Sequence, residues 1–160
     1  MKTPGKVFTL DDEDYENDTA FSYWTITSSL SDHKLIYRLN NALDSNFHRC
    51  KRDHQSHFKG HHFEHVTYTW FDSYSEVQWC ILMNRGLSLS ETGEKLSRNL
   101  VSSKQPIDFI LVAMDEVEDD QIQSVLSTIK KTQGVAYAMA LEPSEKQLPE
   151  LNIELENILL

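Results

Sequence analysis

The chain has 160 residues and carries 15 basic against 25 acidic side chains, a formal charge of −10. That balance repels phosphate backbones and anionic headgroups, which excludes nucleic acid and the membrane surface as first partners. A hydrophobic content of 39%, with seven Phe, six Tyr and three Trp, is enough for one buried core.

In chain order, residues 1–19 are crowded with Asp11, Asp12, Glu13, Asp14, Glu16 and Asp18 and read as a loosely ordered acidic arm. The arm has no apolar h-region, so no secretory signal is read. The longest apolar run, Phe109 to Met114, is far too short to span a bilayer. A cytoplasmic location is therefore expected, with Cys50 and Cys80 as reduced, buried thiols. One folded domain is expected over residues 20–141. It opens with AFSYWTIT (20–27), an aromatic and β-branched run that reads as a strand. Ser31 or Asp32 then caps a helix to about Leu43, because a short side-chain oxygen there satisfies free backbone N–H groups. Its apolar stripe is Leu35, Ile36, Leu39 and Leu43.

A short basic strand, FHRCKR, leads into a histidine-rich connection. Two strands follow around the polar turn DSYS, His65–Phe71 and Glu76–Met83. In them Val66, Tyr68 and Trp70, and then Val77, Trp79 and Ile81, alternate with their neighbours. Period two implies a sheet with one well-buried face. Residues 84–105, rich in Ser, Gly and Asn, read as a long loop. Ile107 to Met114 reads as a central strand. Glu118, Asp119 and Asp120 open a second helix with Ile122, Val125, Leu126 and Ile129 on one face and Lys130–Lys131 at its end, both charge sets complementing its dipole. The last strand, VAYAMAL (135–141), sets Val135, Tyr137, Met139 and Leu141 on one face. Ala136, Ala138 and Ala140 on the other are small enough to admit a helix. Residues 142–160 form a C-terminal amphipathic segment. There Pro149 suits the first turn of a short helix carrying Leu151, Leu155, Ile158 and Leu159, which need burial on the core or on a neighbour.

The resulting order, β-α-β-β-β-β-α-β, predicts an α+β fold. Two helices cover one face of an antiparallel or mixed sheet, on a ferredoxin-like split β-α-β plan enlarged by extra strands. The segments AFSYWTITSSLSDHKLIYRLNNAL, VTYTWFDSYSEVQWCILMN, PIDFILVAM and LSTIKKTQGVAYAMAL resemble the IPExxxVDY family over residues 20–141. These are small uncharacterised bacterial proteins, found mainly in Bacteroidetes. Where the family has Ile-Pro-Glu this chain has Val101, Ser102 and Ser103. Where it has Val-Asp-Tyr this chain has Ile107, Asp108 and Phe109, so Asp108 alone is retained. The resemblance implies a bacterial cytosolic protein and supplies no catalytic or binding residue.

Candidate chemistry concentrates in FHRCKRDHQSHFKGHHFEHV (47–66), which holds six of the seven histidines together with Cys50. Imidazole suits zinc, copper or nickel and thiolate suits zinc or copper, so Cys50, His54, His57, His61, His62 and His65 have the right chemistry. The two spacings, Cys50-x3-His54-x2-His57 and His61-x3-His65, match no standard zinc module. On a strand, His61 and His65 would share a face more than about 10 Å apart. No cofactor is expected on this reading; zinc or another transition metal bound by residues 48–65 is the alternative. The plainer reading is a polar loop that shields a sheet edge. In MDEVEDD (114–120), Asp115 and Glu116 could serve a cation or acid–base chemistry, but acidic residues also commonly open helices. Asp108 lies in an apolar strand and must find hydrogen bonds or a cation. Trp24, Trp70 and Trp79 read as core. No nucleophile elbow, phosphate loop or HExxH is present. The leading expectation is a non-catalytic binding or interaction domain whose partner is itself or another protein, the sequence leaving any small-molecule ligand unknown. A small enzyme using Asp108 and the 115–120 carboxylates is the rival.

Overall fold

The computed structural model describes residues 21–144 and 147–151. The expected arm over 1–19 lies outside them, as do Leu155, Ile158 and Leu159. The elements are β1 (Ser22–Ser28), α1 (Asp32–Leu43), β2 (His48–Arg49), β3 (His54–Phe58), β4 (His61–His65), β5 (Thr67–Asp72) and β6 (Val77–Met83). They continue with β7 (Arg85–Leu89), β8 (Lys95–Asn99), β9 (Phe109–Ala113), α2 (Asp119–Lys131), β10 (Val135–Leu141) and α3 (Leu148–Leu151). No helix among the described residues is long and apolar enough to cross a membrane.

Two antiparallel sheets result, one of six strands in the order β10-β1-β9-β6-β5-β2 and one of four in the order β3-β4-β7-β8. The α+β class holds. The six strands expected from the sequence, five of them apolar and one short and basic, are the six of the larger sheet. The ferredoxin-like plan is not borne out: the larger sheet has six strands, and the plan has no place for the smaller one. The histidine-rich connection is the β3–β4 hairpin, and the stretch read as a loop over 84–105 contains the β7–β8 hairpin. The strand expected over His65–Phe71 breaks at Val66, where the chain passes from one sheet to the other. These strands escape a hydrophobic reading because polar side chains occupy both of their faces.

Period two also implies one buried face for the larger sheet, and the structure buries both. Under α1 and α2 lie Trp24, Ile26, Trp79, Ile81, Leu111 and Ala138, meeting Leu35, Leu39 and Ile129 of the helices. Trp24 and Trp79 pack with ring centroids 6.0 Å apart. On the opposite face Cys80, Leu82, Ile110 and Val112 pack with Leu100, Val101 and Leu151 of α3. Each wholly buried aliphatic or aromatic side chain of these layers is worth roughly 1.5–3 kcal/mol over exposure. Ser31 occupies the N-cap of α1, as expected, but makes no side-chain cap hydrogen bond. Asp32 is engaged sideways instead, accepting the Tyr68 hydroxyl at 2.7 Å and tying α1 to β5.

Candidate functional site

Around two of the points where the chain crosses between sheets, from β4 to β5 and from β6 to β7, polar side chains are buried. Asn84, between β6 and β7, is 1% exposed. Its Nδ2 donates to the carbonyls of Val101 (2.8 Å) and Ile107 (2.9 Å), and its Oδ1 accepts Val101 N at 2.8 Å. Its backbone N donates to Asp108 O, and its carbonyl accepts Leu100 N. Thr67, at the start of β5, donates through Oγ1 to His65 O and accepts His54 N at 2.8 Å. A buried polar group is tolerated only when paired, and these two are saturated.

His65 is the third such residue, fully buried beneath β7. Its Nδ1 lies 3.0 Å from Met83 O, so that nitrogen carries the proton and donates. Its Nε2, 2.8 Å from Ser56 Oγ, then accepts the hydroxyl proton. Burial is the main cause that pulls the imidazole down to about 4, opposed by its bond to the Met83 carbonyl. Gly86 is required over the ring, because an added Cβ would stand 2.5 Å from ring atoms. A serine, an imidazole and an orienting carbonyl in this order resemble an activated nucleophile. Ser56 is buried as well, however, so no substrate reaches Oγ, and an imidazole of such low basicity is a poor base near neutral pH. The trio fastens β3 and β4 to the end of β6.

The residues expected to hold a metal are separated. Cys50 is buried with Cys80 on the α3 side of the larger sheet, and desolvation pushes its thiol up to about 11, so it is protonated and a poor ligand near neutral pH. Desolvation raises the Cys80 thiol as well. Cys50 N bonds to Thr67 O and Cys80 pairs Thr69, so β5 lies between the two cysteines. Two strand spacings come to about 10 Å, beyond a disulfide. Strand alternation sets His54, His61 and His65 on the inward face of the β3–β4 hairpin and His57 and His62 on the outward face. Among the described residues, no three His, Cys, Asp or Glu groups converge on a common point. What the hairpin does bring together is His57 and His62, directly opposite each other with ring centroids 4.3 Å apart.

The carboxylates are separated too. Asp108, half-buried before β9, accepts Ser28 N at 2.9 Å. Asp115, exposed beyond the other end of β9, accepts Gln78 N at 2.8 Å. Roughly 20 Å of strand divides them, so they form no acid–base pair. Each stitches strand ends together, and Glu116 points to solvent.

Two surface depressions accompany these features. One of about 490 Å³ lies beside His62, lined by Glu64, Leu87, Ser88 and Lys95. The other, about 480 Å³ and largely apolar, is lined by Phe21, Trp24, Ile122, Leu126, Leu141 and Leu148 among others. Asn84 and Gly86 were invisible as structural centres in a polar stretch without periodicity. The Lys59–Gly60 pair was the one local signal of the hairpin, since a glycine second in a two-residue link marks a tight turn. No family model, curated protein or solved structure matches the chain.

Proposed function

We propose that the protein is a non-catalytic interaction module of the bacterial cytoplasm, which associates with a second copy of itself along the outer edge of β10. The observation that carries this reading is the edge itself. Among the described residues no strand pairs with that side of β10. Its seven residues, VAYAMAL, include no charge, and Tyr137 and Met139 are 52% and 45% exposed. Soluble proteins usually blunt such an edge with lysine, proline or a bulge, and an uncharged edge invites another strand.

A second copy suits this edge better than an unrelated strand. A two-fold antiparallel pairing centred on Ala138 sets Tyr137 opposite Met139 and Val135 opposite Leu141 on one face, with alanines on the other. Aromatic–thioether and apolar cross-strand pairs of this kind are favourable. Each chain carries a charge of −10, and β10 is a place where two acidic copies meet without opposing carboxylates. The resemblance to a bacterial family without an assigned reaction agrees with this reading. So does the use of Asp108, Asp115 and Ser56 in holding the fold. Sedimentation equilibrium of the full chain is expected to give a dimer at micromolar concentration, and Tyr137→Lys with Met139→Lys to give a folded monomer whose melting temperature, unlike the wild type's, does not depend on concentration. A wild-type chain that stays monomeric at about 100 μM, the lower range of useful self-association, contradicts the proposal.

A further inference from the structure

We infer that His57 and His62 form a two-imidazole site for a divalent transition-metal ion, Cu²⁺ or Zn²⁺, on the outward face of the β3–β4 hairpin. The site follows from the turn. Lys59 and Gly60 both take positive φ, 50° and 80°, which is the two-residue link whose twist matches antiparallel strands. Phe58 and His61 close that link, and His57 faces His62 one position back. A pair at that position belongs to the non-hydrogen-bonded kind, with Cα atoms about 4.5 Å apart and side chains at their closest.

The two rings stand edge to face, with centroids 4.3 Å apart and planes at 72°. Both are exposed. Among the described residues, neither ring makes a hydrogen bond, whereas both nitrogens of His65 are engaged. Two nitrogens on one ion, each at about 2.0–2.1 Å from it, stand about 3 Å apart, a separation these rings reach by side-chain rotation alone. Imidazole without thiolate suits Cu²⁺ and Zn²⁺, with Cu²⁺ the tighter. Since, among the described residues, no third His, Cys, Asp or Glu converges on the pair, the remaining positions fall to water. The metal is therefore held by a hairpin that folds without it, and its loss leaves the fold intact.

Calorimetric titration of the untagged full chain with CuCl₂, and separately with ZnCl₂, tests the site. Paramagnetic resonance of the Cu²⁺ adduct counts its nitrogens. The expected result is one Cu²⁺ per chain with two nitrogen ligands and weaker Zn²⁺ binding. His57→Ala and His62→Ala each lower Cu²⁺ affinity at least about tenfold, and the double variant loses little more. His61→Ala, on the inward face, and His48→Ala, outside the hairpin, leave it unchanged. All four side chains are at least partly exposed, so each variant folds, which melting verifies. Equal losses across the four variants mean adventitious capture by surface histidines, and that outcome, or no binding at all, overturns the inference.

Discussion

Every strand of the six-stranded sheet except the two-residue β2 contributes a buried apolar side chain, and β6 is buried along nearly its whole length. The four-stranded sheet, among its described side chains, buries one large hydrophobic residue, Phe63, alongside His54, Ser56 and His65. The first sheet coheres by apolar area, which is non-directional and tolerant of detail. The second is fastened by a few directional bonds at Asn84, Thr67 and His65. Area-based packing survives modest changes of shape, but a polar junction does not survive loss of one partner.

The largest expected effect lies at Asn84. Asn84→Ala removes three side-chain hydrogen bonds and leaves Val101 N and the carbonyls of Val101 and Ile107 buried without them, costing about 3–5 kcal/mol in chemical denaturation. Asn84→Leu sharpens the contrast, since it restores volume without hydrogen bonds and is expected to be no more stable than Asn84→Ala. Recovery of wild-type stability in Asn84→Leu would erase the distinction between the two sheets.

His65 gives a smaller effect that depends on pH. Its imidazole stands at about 4 in the fold against an ordinary value of 6.5. The unfolded chain therefore binds a proton through that interval that the native chain refuses. Stability from keeping this ring neutral is fully present above 6.5 and is lost as pH falls toward 4, by up to about 3 kcal/mol. His65→Gln can still bond Ser56 and Met83 but does not titrate. Denaturation curves between pH 6.5 and 4 are expected to fall less steeply for this variant; identical slopes would remove His65 from the account.

The same contrast explains what was legible in the residues. Val77, Trp79 and Ile81, Leu35 and Leu39, and Leu126 and Ile129 announce their elements because burial of apolar area imposes a period on the chain. Cys80 and Leu82, between the residues of the apparent buried face, carried the information that β6 is covered on both sides, but alternation drew attention to one. HQSHF, HHFEH, RGLSL and KLSRN carry no such period, since their sheet rests on partners distant in sequence, such as Met83 for His65 and Val101 for Asn84. Element preference and spacing along the chain point to Cys50, His54, His57, His61 and His65 as metal residues. The hairpin instead selects across the strands, pairing His57 with His62 and turning His54, His61 and His65 to the other side.

The larger sheet's weak point is its last edge rather than its core, and that is where the functional account is most exposed. Hydrogen–deuterium exchange of the full chain, followed peptide by peptide at two protein concentrations, tests it directly. The account predicts that amides of Val135–Leu141 exchange slowly at high concentration and faster on dilution, while those of β6 and β9 stay protected at both. Exchange in β10 that does not change with concentration would contradict association along this edge.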